Sequence, residues 1–137
     1  MRFELSEEEQ SLAHLMRDYA RGEVAPVAPV AWAERRCPTE LLRGMGKLDL
    51  MGLLVPEEQG GIGMTTVGFV AAMEELGAVD QSVAAAWQAH STIGSLPLLE
   101  FGTPEQQQKW LVPLAQGETL GGGPDGHRVS SAAGSVG

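Results

Sequence analysis

A single cysteine, Cys37, stands among 137 residues. One thiol closes no disulfide framework, and such scarcity fits a reducing cytoplasm. Cations are also few: nine Lys and Arg against eighteen Asp and Glu leave a formal charge of −9. They are scattered rather than clustered, which argues against nucleic acid, because phosphate backbones select grouped Lys and Arg. An apolar, charge-free span of about 20 residues is lacking, so no membrane span is expected. The opening "MRFELSEEEQ" is acidic and has no apolar centre, unlike a signal peptide. Strand patterning is missing too, since no segment alternates with a period of two over four to eight residues. Finally, a di-iron bundle would need Glu-x-x-His pairs. The residue three before His14 is Ser11, and three before His90 is Trp87. Metal binding is not expected.

What is present is helical. Ser6 with Glu9 three residues on forms a capping box, and Leu12, Leu15, Met16 and Tyr19 follow at helical spacing. Pro26 and Pro29 interrupt this pattern, leaving either a kinked continuation or a second short helix. Pro38 suits a first helical turn, with Leu41, Met45 and Leu48 as its stripe. Gly44 and Gly46 weaken that helix, so packing must hold it. "LLVPEEQGGIGM" reads as a loop in which Gly60, Gly61 and Gly63 permit positive φ. A helix then turns Phe69 or Val70, Met73 and Leu76 inward and leaves Glu74 and Glu75 to solvent. Asp80 caps "QSVAAAWQAHSTIGSLPLLEF", a segment apolar round most of its circumference, as in the middle of a bundle. Thr103, Pro104 and Gln106 take the N-cap, N1 and N3 positions of a last helix, with Trp110, Leu111 and Leu114 inward.

The expected fold is therefore all-α: an orthogonal or up-down bundle of five to six helices over residues 1–118. Residues 119–137 form a Gly/Ser-rich tail whose composition cannot offset its ordering entropy, and they are expected to be disordered.

Candidate chemistry is thin. "GGIGMTTVG" places glycines before a helix, as a dinucleotide fingerprint does, but Thr66 stands at the last glycine position and no parallel-sheet unit surrounds it. Glu74 and Glu75 point about 100° apart on a helix, so they cannot share an acid/base site. Cys37 beside Pro38 has no histidine near it in sequence, which leaves a nucleophile without a base. Gln88, His90, Ser91 and Thr92 put four polar side chains into about one turn of an apolar segment. They are either satisfied core groups or the lining of a ligand cleft.

Read together, "LSEEEQSLAHLMRDYARGEVAP", "LLVPEEQGGIGM" and "MEELGAVDQSVAAAWQAHSTIGSLPLLEFGTPEQQQKWLVPLAQGE" carry a family signature. Over about residues 3 to 118 the chain resembles the N-terminal helical domain of acyl-CoA dehydrogenases. That family's Val-Pro-Glu-Glu loop, Glu-Glu helix, His-to-Phe-Gly stretch and final Gly-Glu helix match Val55 to Gly63, Glu74 and Glu75, His90 to Gly102, and Gln108 to Glu118. The resemblance implies a three-domain flavoenzyme: a helical bundle, a small β domain and a second helical bundle. FAD lies between the latter two, under the acyl thioester. A glutamate of the third domain takes the α-proton while the β-hydrogen leaves as hydride to the flavin. The first domain contributes one wall of the acyl pocket, and Trp87, Gln88, Ala89 and His90 would border the acyl chain.

After Glu118 the family's Thr-Glu-Pro and Gly-Ser-Asp elements have no match in "TLGGGPDGHRVSSAAGSVG". A frame shift or truncation would produce such a switch. By this reading the chain holds no catalytic, cofactor-binding or metal residue and is inactive alone. Its implied partners are an acyl-CoA or acyl-carrier-protein thioester, the missing domains, or a second copy of itself. A stand-alone interaction module and a bundle carrying a small apolar ligand are the competing readings.

Overall fold

The computed structural model describes residues 4–121 and is helical in those residues, without strands. Helix α1, Glu7–Tyr19, starts at the expected box: the Glu9 amide donates to Ser6 Oγ at 3.2 Å, and the Ser6 amide to Glu9 Oε2 at 2.9 Å. Leu12, Met16 and Tyr19 are buried, whereas Leu15 is exposed. It lies about 100° round the helix from Met16, off the covered face. A π-helical turn, Ala20–Val24, carries the chain without a break into α2, Ala25–Ala33. Of the two forms expected, the continuation is the one taken, with a wide turn at the junction. Pro26 falls in the first turn of α2, where its missing N–H costs little, and Pro29 lies inside.

Helix α3, Thr39–Lys47, buries Leu41, Leu42 and Met45. It ends before Leu48, which is exposed, so Leu42 supplies the third inward side chain instead. Tyr19 Oη donates to the Leu41 carbonyl at 2.5 Å and sits over Gly44, where a Cβ would strike the hydroxyl. Burial, with Glu23 and Glu40 nearby, pushes that phenol up to about 12. The following loop carries Leu50, Met51 and Leu53 fully buried, then a short 3₁₀ turn, Glu57–Gln59. Gly60 and Gly63 adopt φ of 89° and 69°. Gly61 does not need positive φ; its constraint is space, because a Cβ there would overlap the Val55 carbonyl.

Helix α4, Thr66–Gly77, turns Phe69 inward and leaves Val70 exposed. Its cap residue Thr65 donates to Glu9 Oε1 at 2.6 Å, and Glu75 pairs with Arg17 at 2.6 Å. These two ties run in the same direction, so α1 and α4 lie parallel. Glu75 is accordingly half-buried and paired, while Glu74 is exposed. Asp80 Oδ1 accepts from the Val83 amide at 2.8 Å and starts α5, Gln81–Ala89. Phe69 stacks on Trp87 and Gly77 faces Ala84, so α5 runs back antiparallel to α4. A second π turn, His90–Gly94, links α5 to α6, Leu96–Phe101. After the Thr103–Gln106 capping box come α7, Pro104–Gln106, a third π turn, Gln107–Leu111, and α8, Val112–Ala115. Leu111 and Leu114 are buried; Trp110 is half-buried, with Lys109 Nζ 4.7 Å from its ring centre.

These pieces make five helical rods around one main core, in which Met16, Met45, Leu50, Met51, Leu53, Leu76 and Trp87 are fully buried. A smaller cluster joins Val55, Leu111 and Ala115, with Leu98 and Leu99 against it. Of the expected tail, positions 122–137, with His127, lie outside the described residues. Leu120 packs against the main core.

Candidate functional site

The rod formed by α5, its π turn and α6 has no Asp, Glu, Lys or Arg from Gln81 to Leu99. Apolar round most of its circumference, the rod is expected in the middle of the bundle, and the structure leaves one side of it open. One face is buried through Val83, Ala84, Trp87, His90, Ser91 and Ser95, while Ser82, Ala85, Gln88 and Ile93 are exposed. Small and uncharged side chains cost little on a wet surface, so absence of charge did not demand an interior.

The four candidate residues divide between the two faces. Trp87 is fully buried; its indole N–H donates to the Leu50 carbonyl at 2.9 Å, and its ring stacks on Phe69 at 4.6 Å between centres. His90 is 1% exposed, with Nε2 2.9 Å from the Leu114 carbonyl and Nδ1 accepting the Gly121 N–H at 2.9 Å. Burial holds its pKa below the ordinary histidine value, against the raising effect of the Leu114 and Met51 carbonyls. Gln88 is exposed and Ala89 half-buried on the other side. Thr92 Oγ1 donates to the Gln88 carbonyl at 2.7 Å, and the buried Ser91 Oγ has no hydrogen-bond partner.

Beside this helix an apolar groove of about 640 Å³ opens between the end of α2, residues 35–38 and the start of α5. Ala28, Ala31, Leu42, Val83 and Ala86 line it, with Arg35, Arg36, Cys37 and Ser82. Trp32 also lines it and is 77% exposed. Sequence reasoning missed this groove because its walls come from three separate elements.

The glycine loop is not a phosphate cradle. Its amides at Gly61, Ile62, Gly63 and Met64 already donate to the carbonyls of Pro56, Gly52, Val55 and Leu53. A flavin pyrophosphate would need such amides free, so these residues do not fit that part of FAD. Among the described residues no group of three or more His, Cys, Asp or Glu side chains is placed to hold a metal ion. No helix among them is long and apolar enough to cross a membrane.

Among the described residues the lobe has one rod with a buried and an open face. Known proteins resemble this lobe. The family model for the N-terminal domain of acyl-CoA dehydrogenases matches residues 6–118. A probable acyl-CoA dehydrogenase of Bacillus subtilis is 40% identical over 121 residues, covering 88% of this chain and 32% of that protein. The solved acyl-CoA dehydrogenase complexed with FAD from Bacillus anthracis aligns at a TM-score of 0.78 and 36% identity, over 86% of this chain and 21% of that one. Butyryl-CoA dehydrogenase from Megasphaera elsdenii aligns at 0.82 and 29% identity, over 88% and 32%.

The chain belongs to the acyl-CoA dehydrogenase family, and the part it matches is the N-terminal helical domain. It spans about a third of the length of the curated relatives it matches.

Proposed function

We propose that this chain serves as the N-terminal lobe of an FAD-dependent acyl-CoA dehydrogenase, forming one wall of its acyl pocket, and has no dehydrogenase activity alone. The open, uncharged face of α5 is the observation that carries this reading. Oxidising a thioester between its α and β carbons needs a base for the α-proton and an acceptor for the hydride, held together at contact distance. With no carboxylate between Gln81 and Leu99, this face can bind an acyl chain and exclude water but cannot take the proton. Gln88 and Ala89 border the chain, while Trp87 and His90 hold the wall from behind. FAD and the base belong to other segments, as the resemblance implies, and the thioester is carried by coenzyme A or an acyl-carrier protein in the cytoplasm.

The 137-residue chain mixed with FAD should show no bound flavin absorbance. Adding a polypeptide with the remaining domains of a relative should restore acyl-thioester oxidation. Stoichiometric flavin on the lone chain would refute the reading. The alternative is a stand-alone interaction module, favoured by Trp32 and by Phe101, which is 88% exposed. Under it, size exclusion shows self-association or partner binding, and the added domains restore nothing.

A further inference from the structure

The π turn at His90–Gly94 and the chain leaving α8 meet at one point. Gly121 is seated so closely that a Cβ on it would lie 2.9 Å from the Gly94 Cα and 3.3 Å from Leu114 Cδ2. Leu120 packs on the main core beside it. The His90 ring bridges the two, from the Leu114 carbonyl to the Gly121 amide, and its own carbonyl accepts from Ser95 Oγ at 3.0 Å.

The partners dictate the state of the ring. A carbonyl only accepts and an amide N–H only donates, so both contacts are satisfied solely by the neutral Nε2–H tautomer. A second proton on Nδ1 would point at the Gly121 N–H, donor against donor. We propose that His90 is a positioning residue that latches residues 119–121 to the bundle when neutral and releases the Gly121 amide when protonated. Whether the Gly121 amide is tied to the bundle is thereby set by one proton.

The surroundings supply no counter-charge. Residues 81–99, 50–55 and 112–117 carry no Asp, Glu, Lys or Arg. Asp49 and Glu118 flank them, and neither pairs with the ring among the described residues. Burial outweighs the Leu114 and Met51 carbonyls and keeps the ring below its ordinary value. The latch is therefore closed at neutral pH and opens as pH falls below the ordinary histidine range. This proposal is independent of any enzymatic role.

The test is NMR of the intact 137-residue chain. Long-range proton–nitrogen correlations at pH 7.5 should show Nε2–H and a bare Nδ1. On acidification the Gly121 protection factor should fall about tenfold per pH unit below the ring's own midpoint, as a single proton requires. In H90Q, which does not titrate there, that step should vanish while helicity at pH 7.5 persists. An Nδ1–H tautomer, or a Gly121 step that persists in H90Q, would overturn the proposal. If H90Q does not fold, the unsubstituted chain still decides: mismatched midpoints for the ring and the Gly121 amide sink the latch.

Discussion

Trp87→Phe separates the buried side of α5 from its open side. Phenylalanine preserves a ring against Phe69 but deletes the N–H that reaches the Leu50 carbonyl at 2.9 Å. That carbonyl belongs to a fully buried residue, so it is left without a donor. An orphaned buried acceptor costs about 1–3 kcal/mol. The smaller ring leaves a void of roughly 40 Å³, which at about 24 cal/mol per Å³ adds about 1 kcal/mol. Together the loss is about 2–4 kcal/mol, a large share of the roughly 5–15 kcal/mol by which domains are stable. At about 4 °C per kcal/mol for a domain near this size, Tm falls by about 8–16 °C. Urea unfolding followed by far-ultraviolet circular dichroism measures it without relying on the deleted fluorophore. Trp32→Phe is the matched control: its side chain is 77% exposed and should change stability by no more than about 0.5 kcal/mol. A Trp87→Phe variant within about 0.5 kcal/mol of the parent would refute the buried side of the rod, and a Trp32→Phe variant equally damaged would show that the loss is not specific to it.

Ala89→Leu adds bulk on the open side; in an enzyme assembled with the remaining domains it should raise KM for long acyl thioesters by about tenfold or more, on the scale of a few methylenes in a pocket. Its urea midpoint should stay close to the parent's, and unchanged chain-length preference would remove Ala89 from the wall. Gly44→Ala sets two effects against each other: helix propensity favours alanine by about 1 kcal/mol, but the new Cβ strikes the Tyr19 hydroxyl. Overpacking costs about 1–3 kcal/mol, so net destabilisation with loss of the Tyr19–Leu41 hydrogen bond is expected, and a stabilised variant would contradict the packing. Arg17 holds the Glu75 carboxyl below the usual carboxylate range, chiefly by hydrogen bonding. The unfolded chain therefore binds that proton more readily, so the pair's contribution is present above the ordinary carboxylate value and lost as pH falls through the lowered one. Acid titration of stability should be less steep in Arg17→Met, and identical slopes would show the pair is silent.

Local devices were legible because they depend on neighbours in sequence. Ser6 with Glu9, Asp80, and Thr103 with Gln106 start their helices where a hydroxyl or carboxylate can reach amides two or three residues on. The family signature was legible for a different reason, as an ordered set of short matches. Facing was less so. Val70 and Leu15 fit their stripes yet stay wet, and Leu50, Met51 and Leu53 fill the core from a stretch with no helical period. The uncharged run from Gln81 to Leu99 read as interior, because composition reports what a surface tolerates and not what covers it. His90 could be read as satisfied or ligand-facing from sequence alone. Its partners lie 24 and 31 residues downstream, and only the folded chain brings them to the two ring nitrogens.

The three π turns have a bearing on how this fold tolerates change. Each closes with one residue more than an α-helical turn needs. Deleting a single residue within His90–Gly94 would restore a plain α-helical turn, and because the wide turn and the tighter one sweep nearly the same angle, the helix beyond would keep its facing. Leu98 and Leu99 would then still face Val55, Leu111 and Ala115. The wide turns are thus places where the chain can absorb a one-residue change in length without turning the next helix off its neighbours.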